Sequence, residues 1–104
     1  MNEKMFPNLA HLTPEVAAAK IQDLLDVCKK IFKFESCFVY LEGNRLKIKI
    51  VTARNIKIEG CYVISNLLVT EESFSYEPLG APLAKIYSEE VSKHIKNLFC
   101  GVEN

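Results

Sequence analysis

The sequence lacks an excess of charge of either sign. Its 104 residues include 13 basic and 13 acidic side chains, so the formal net charge at pH 7 is zero. A neutral chain produces no long-range field that would draw it to nucleic acid or to an anionic membrane. The large excess of carboxylates that a DNA mimic needs is missing too. Near-zero net charge weakens the repulsion between copies of a protein, which favours self-association.

Glycine is scarce, and this bears on nucleotide binding. The chain has four glycines, and neither GxGxxG nor GxxxxGK[ST] occurs, so we expect no phosphate-binding loop. The nucleophile elbow GxSxG is also absent. These absences argue against nucleotide hydrolysis and, less strongly, against enzymatic activity in general.

The four cysteines lack the CxxC spacing that is typical of zinc and redox sites. Cys28, Cys37, Cys61 and Cys100 lie far apart, each at a position of the apolar pattern, as small buried residues do. A metal site would need distant ligands to converge, for instance His94 with three of these cysteines, whereas structural zinc sites use closely spaced pairs. We expect reduced, buried thiols, no metal and no cofactor, with Cys100 the most accessible thiol.

Long apolar runs are also missing. The longest stretch without a charge, residues 60–70, has about half the length that spans a bilayer. Residues 1–12 contain no continuous apolar segment of signal-peptide length. We expect no membrane span, no targeting segment and a cytoplasmic location.

The residues that are present suit one folded domain. Apolar residues make up 49% and charged residues 25% of the chain, which are ordinary proportions for a soluble protein. A chain of this length holds one hydrophobic core and not two. We predict an extended N-terminal arm over residues 1–12, a single domain over residues 13–101 and a C-terminal tail over residues 102–104.

Two amphipathic helices are predicted. The first covers residues 14–34, with Thr13 as N-cap and Pro14 in the first turn. Its apolar side chains recur every three or four residues: Ala17, Ile21, Leu24, Leu25, Cys28, Ile31 and Phe32. The second begins at Pro82 and ends before a C-cap at Gly101. Its apolar side chains are Leu83, Ile86, Tyr87, Val91, Ile95, Leu98 and Phe99.

Between the helices the apolar period changes from 3.6 to 2, which predicts strands. Residues 36–42 and 45–52 flank a Gly-Asn pair that suits a two-residue type II′ turn. Such a turn fixes the register, with Glu42 opposite Arg45 and the rest following in steps of one. One face of this hairpin is then apolar: Cys37, Val39, Leu41, Leu46, Ile48 and Ile50.

The segment after the hairpin is harder to divide. Residues 56–69 are the most apolar part of the chain and predict a strand buried on both faces. Gly60 marks a bulge or a tight turn, and Ser65-Asn66 is another candidate break. Residues 74–77 would add a short edge strand. The predicted fold is therefore α+β: an N-terminal helix, an antiparallel meander of three or four strands and a C-terminal helix, with both helices on one sheet face.

The outward face of the hairpin is the candidate binding site: Phe38, Tyr40, Arg45, Lys47 and Lys49. Aromatic and arginine side chains are favoured anchors of protein interfaces. Aromatics flanked by cations also stack nucleobases and neutralise phosphates, and lysine stems can simply cover the rings of a solvated sheet face. The neutral overall charge favours protein over nucleic acid as the partner.

Other chemistry-bearing residues carry weaker signals. His94 lies at the boundary of the second apolar stripe, where packing or solvent exposure is the usual role. The carboxylate pairs Glu71-Glu72 and Glu89-Glu90 invite a catalytic interpretation, but adjacent residues of a helix do not face each other. We interpret both pairs as solvated surface and identify no catalytic residue.

The sequence therefore favours a small non-enzymatic protein–protein interaction module, such as an adaptor, a chaperone-like subunit or an inhibitor. It would bind another protein or itself, as a homodimer. The alternative is a nucleic-acid-binding module that uses the aromatic and basic face of residues 38–49. A third class is an enzyme without sequence motifs, acting through a cysteine, His94 or Tyr87.

Overall fold

The structure is a computed structural model that describes residues 4–101. The predicted tail, residues 102–104, lies outside this range. The elements in chain order are β1 (Lys4–Pro7), α1 (Pro14–Phe32), β2 (Phe34–Glu42), β3 (Arg45–Thr52), β4 (Lys57–Ile64), β5 (Leu68–Glu77) and α2 (Pro82–Cys100).

The strands form one antiparallel sheet in the order β1-β5-β4-β3-β2. The meander from β2 to β5 and the two flanking helices confirm the predicted α+β fold. The sheet has five strands, however, because β1 pairs with the first part of β5, with Phe6 opposite Val69. A four-residue strand that ends in proline is too short to show a period of two, so the sequence pattern did not reveal it.

The predicted hairpin register is confirmed along β2 and β3, from Glu42 opposite Arg45 to Cys37 opposite Ile50. Gly43 has a φ of 67°, as the first central position of a type II′ turn requires. The predicted apolar face points to the helices. Its β3 members are buried, and its β2 members are half-buried because β2 is an edge strand.

Helix α1 begins as predicted, with the Thr13 hydroxyl accepting a hydrogen bond from the Val16 amide at 3.3 Å. It ends at Phe32, and the following residue, Lys33, is the C-cap with a left-handed φ of 61°, so the chain enters β2 earlier than predicted. The buried side chains are Ala17, Ile21, Leu25 and Cys28 in α1, and Ala84, Ser88, Val91, Ile95 and Phe99 in α2.

Two predicted core positions on the helices are wrong: Ile31 is 62% exposed and Ile86 is 51% exposed. Each predicted stripe is wider than the strip of helix surface that one sheet face covers. The rotation of the helix about its own axis then decides which flank stays outside, and sequence periodicity does not fix that rotation.

Residues 56–69 form two strands and a turn instead of one doubly buried strand. The turn lies at the predicted break, where the Ser65 amide donates to the Leu68 carbonyl at 2.9 Å. Side chains alternate between buried and exposed along β4. The helices cover only one face of the sheet, so strand burial on both faces does not occur here.

Gly60 lies inside β4 at neither a bulge nor a turn, opposite Ile48 on one side and Phe74 on the other. A Cβ atom at this position would stand 2.8 Å from Cδ2 of Phe74. The missing side chain therefore makes room for the Phe74 ring, which meets the ring of Tyr62 edge-on at 6.3 Å.

The bulge falls instead in β5. Cys61 pairs with Ser73 and Tyr62 pairs with Glu71, so Glu72 has no partner residue in β4. Beyond this extra residue, side chains still alternate between the two faces of the sheet, but the alternation is shifted by one position.

Gly60→Ala is expected to destabilise the fold by about 1–3 kcal/mol, because the new methyl group overlaps the Phe74 ring. The matched control is Gly80→Ala, since nothing lies within 4 Å of a Cβ there, and its stability should be unchanged or slightly higher. Urea unfolding of both variants measures the difference. Equal midpoints for the two variants would contradict the tight packing at Gly60.

Candidate functional site

Both helices pack on one face of the sheet and leave the other face uncovered by any described element. We call this second surface the open sheet face. Antiparallel pairing of β2 with β3 brings all five predicted site residues onto it, with Tyr40 opposite Lys47 and Phe38 opposite Lys49. The sequence pattern therefore placed these residues on a common surface correctly. Whether that surface binds a partner stays a prediction.

The two aromatic side chains are the most exposed apolar groups of β2. Phe38 is 59% exposed and Tyr40 is 45% exposed. They lie two residues apart, so their side chains leave the strand on the same side. Because β2 is an edge strand, the pair forms an apolar rim along one border of the open sheet face.

The three cations among the predicted site residues are paired with carboxylates, which the sequence alone did not show. Arg45 binds Glu72 through two hydrogen bonds, from Nε to Oε1 at 3.2 Å and from Nη2 to Oε2 at 3.1 Å. This pair bridges β3 and β5 across β4. The guanidinium of Arg45 lowers the pKa of Glu72, and the carboxylate in turn raises the pKa of Arg45.

The two lysines have carboxylate partners as well. Nζ of Lys47 lies 2.8 Å from Oε1 of Glu42, and Nζ of Lys49 lies 3.9 Å from Oε2 of Glu59. The hydrogen bond from Lys47 lowers the pKa of the Glu42 carboxyl. Three cations thus face three carboxylates, and a phosphate group would have to compete with each of them. This arrangement weakens the case for nucleic acid as the partner.

A shallow trough of about 250 Å³ crosses the middle of the open sheet face. Small residues of β4 and β5 line it, namely Gly60, Cys61, Ser73 and Ser75, with Tyr40 and Lys47 at its border. The face therefore has a raised aromatic rim on β2 and a lower centre two strands away.

All four cysteines are free thiols. The predicted burial holds for Cys28 alone, because Cys37, Cys61 and Cys100 are half-buried. Burial raises the pKa of Cys37 to about 11 and also raises the pKa of Cys28 and Cys61. These three thiols are protonated at neutral pH, which makes them poor nucleophiles.

The two other residues considered for enzymatic chemistry lie between α1 and α2. The Tyr87 ring packs 5.5 Å from the Phe32 ring and 5.7 Å from the Phe34 ring, which is a structural role. His94 follows two helical turns later on the same flank. It is half-buried, and its Nδ1 is buried without a hydrogen-bond partner among residues 4–101.

Glu71 is the residue that the sequence interpretation missed. It was predicted to be solvated surface, but it is 7% exposed, so this prediction is wrong. Its Oε2 accepts hydrogen bonds from the Tyr62 hydroxyl at 3.0 Å and from the Ser92 hydroxyl at 3.1 Å. Burial and then the Glu71 charge raise the pKa of Tyr62. The alternation of side chains along a strand could have revealed this burial, because Glu71 follows the core residue Val69 by two positions.

Glu71 lines a cleft of about 720 Å³ between α2 and the β1–β5 side of the sheet. The helix residues Ser88, Ser92, Lys93 and Lys96 form one wall, and Lys4 and Phe6 of β1 lie on the other side. The cleft is on the helix side of the sheet, and Ser73 lines both the cleft and the trough of the open sheet face.

Residues 4–101 contain no group of three or more His, Cys, Asp or Glu that could hold a metal ion. Neither α1 nor α2 is long and apolar enough to cross a membrane. No family model matches the sequence, and no curated protein or solved structure shows a significant similarity to the chain.

The Arg45–Glu72 pair gives a pH-dependent prediction. The pKa of Glu72 is lower in the folded chain than its ordinary value of 4.5. The pair therefore stabilises the fold above that value, and its contribution is lost as the pH falls through the lowered pKa. Glu72→Gln should unfold at less urea than the wild type at pH 7, and this deficit should be smaller at about pH 3.

The matched control is Glu35→Gln, which removes an exposed carboxylate with no ion-pair partner within the described part of the chain. The urea concentration at the midpoint of its unfolding should equal that of the wild type at both pH values. A Glu72→Gln deficit that persists unchanged at low pH would contradict the ion-pair explanation.

Proposed function

We propose that this protein is a non-enzymatic interaction module that forms a homodimer through its open sheet face. The observation that carries the proposal is a sheet face that no described element covers, with two exposed aromatics and three cations paired with carboxylates. Large exposed apolar groups on a soluble domain mark interaction surfaces. A face whose cations already have carboxylate partners is suited to a neutral, self-complementary contact.

The size of the open sheet face supports a dimer. Five strands about 4.8 Å apart and about eight residues long at 3.3 Å each cover roughly 600 Å². Two copies together would bury about 1,200 Å² in full overlap and about 1,000 Å² when offset by one strand, which is about the smallest area expected of a specific protein–protein interface. A second copy packed face to face thus meets the area requirement of a modest but specific interface.

The distribution of charge favours a second copy as the occupant. The row of cations on β3 lies between carboxylates on β2, β4 and β5: Glu42, Glu59 and Glu72. In a dimer with a two-fold axis and an offset of one strand, the cations of each copy would lie opposite carboxylates of the other copy. The same offset would bring the aromatic rim of one copy towards the trough of the other.

The state of the thiols supports a non-enzymatic role in a reducing compartment. The three thiols with raised pKa values are not activated as nucleophiles, and free cysteines persist where disulfides do not form. We therefore propose a cytoplasmic location. Within this proposal the module acts as an adaptor, a chaperone-like subunit or an inhibitor, presenting its helix side to others while the open sheet faces are joined.

The decisive variant is Phe38→Ser with Tyr40→Ser, examined by light scattering after size exclusion in 150 mM NaCl. The wild type should have twice the chain mass of 11.8 kDa. The double variant should run as a monomer at the same concentration, with its dissociation constant raised by about 100-fold or more, because buried aromatics dominate interface energy.

The matched control is Val27→Ser with Ile31→Ser on the exposed flank of α1. These side chains are 54% and 62% exposed, similar to the aromatic pair, but they lie on the helix side. The control should remain a dimer. A monomeric wild type, or a dimer that the control splits and the aromatic variant does not, would overturn the proposal.

Nucleic acid is tested in the same preparation with a labelled 20-nucleotide single strand. The interaction module predicts no binding that depends on Lys47 and Lys49. Salt-sensitive binding that Lys47→Glu with Lys49→Glu abolishes would replace the proposal with the nucleic-acid alternative.

A further inference from the structure

The cleft between α2 and the β1–β5 side of the sheet contains a buried carboxylate, that of Glu71. Glu71 is buried, and among residues 4–101 no cation lies within ion-pair distance of it. Burying a carboxylate is unfavourable unless hydrogen bonds or a counter-charge compensate for the lost water. The Tyr62 and Ser92 hydroxyls supply two hydrogen bonds, both to the same oxygen, Oε2.

Cations surround this carboxylate without pairing with it. Lys4 is the residue opposite Glu71 on β1. Lys96 lies one helical turn beyond Ser92 on the same flank of α2, and Lys93 lies beside that row. All three lysines are exposed and line the cleft. The mouth of the cleft therefore carries three lysines and one exposed carboxylate, Glu89, and its base is a buried carboxylate with hydroxyl groups beside it.

Apart from Glu71, Glu89 and the three lysines, the residues that line the cleft are uncharged. Phe6, Phe74 and Met5 line it, and Ser88, which is 5% exposed, adds a hydroxyl at its base. The volume of about 720 Å³ lies within the range of small-molecule sites, about 300–1,000 Å³. An apolar wall with a few convergent polar groups is the usual composition of such sites.

We propose that this cleft binds a small zwitterion, namely a free α-amino acid with an apolar side chain. Its ammonium group would donate to the Glu71 carboxylate at the base. Its carboxylate would face the lysines at the mouth, and its side chain would contact Phe6 and Phe74. This ligand supplies the counter-charge that Glu71 lacks and the anion that the lysines lack. The cleft shares Ser73 with the trough of the open sheet face, but Glu71, Lys93 and Lys96 have no part in the proposed dimer contact, so the inference does not rest on the dimer.

The probes are L-leucine, L-phenylalanine and L-methionine, titrated into the ¹⁵N-labelled full chain and followed by amide NMR shifts and calorimetry. At least one should shift the amides of Ser88 and Ser92 with a saturable curve. Two truncated forms of leucine test the zwitterion requirement: 4-methylpentanoate lacks the amino group, and 3-methylbutylamine lacks the carboxylate. Each should bind at least tenfold more weakly than leucine.

Two variants test the two ends of the cleft. Glu71→Gln keeps the shape and a carbonyl acceptor for both hydroxyls, and it should weaken binding at least tenfold. Lys96→Gln replaces an exposed side chain that has no packing role, so it reports on binding even if Glu71→Gln unfolds the chain; it should weaken binding about threefold or more. Lys85→Gln, an exposed α2 lysine outside the cleft, is the control and should bind like the wild type.

The proposal is overturned if none of the three amino acids shifts the cleft amides at 10 mM. It is equally overturned if 4-methylpentanoate binds as tightly as leucine, since Glu71 would then have no part in recognition. Undiminished binding by Lys96→Gln together with undiminished binding by Glu71→Gln would place any bound amino acid elsewhere on the molecule.

Discussion

The arrangement of this sheet depends on how β5 accommodates one extra residue, Glu72, as a bulge. Side chains alternate along a strand, so an unbroken β5 that buries Val69 and Glu71 would turn Phe74 and Tyr76 to the open sheet face. The bulge at Glu72 shifts the alternation by one position, so both aromatic rings lie on the helix side. Phe74 can then occupy the space over Gly60 and meet the ring of Tyr62, which in turn donates its hydroxyl hydrogen bond to Glu71.

The same bulge distributes two adjacent carboxylates between two surfaces. Glu71 points to the helix side, where the Tyr62 and Ser92 hydroxyls hold it at the base of the cleft. Glu72 points to the open sheet face, where it binds Arg45 and lies 3.6 Å from the Cys61 thiol. The proposed dimer interface and the proposed ligand cleft thus both use β5, but Glu72 belongs to the interface and Glu71 to the cleft. Either surface can be altered without removing the other.

Local rules were enough to predict the hairpin, the cap of α1 and the common face of the five site residues. A two-residue turn fixes register completely, and a cap needs only its neighbours in sequence. Three features depended on distant partners and could not be predicted in the same way. The pairing of Arg45 with Glu72 needs the strand order β3-β4-β5, the burial of Glu71 needs α2 above β5, and the exposure of Ile31 follows from the rotation of α1. A bulge has no fixed sequence signature, so Gly60 was a reasonable but wrong choice for its position.

Deleting Glu72 tests the role of the bulge most directly. The shortened strand pairs regularly with β4 and still places Val69, Glu71, Phe74 and Tyr76 on the helix side. The variant should therefore unfold in urea cooperatively and near the midpoint of Glu72→Gln, which lacks the same ion pair. Deleting Ser75 instead turns one aromatic ring out of the core in either register, which should lower the free energy of unfolding by about 2–3 kcal/mol. If the chain without Glu72 is as unstable as the chain without Ser75, the extra residue does not have the role described, and the division of β5 between two surfaces needs another cause.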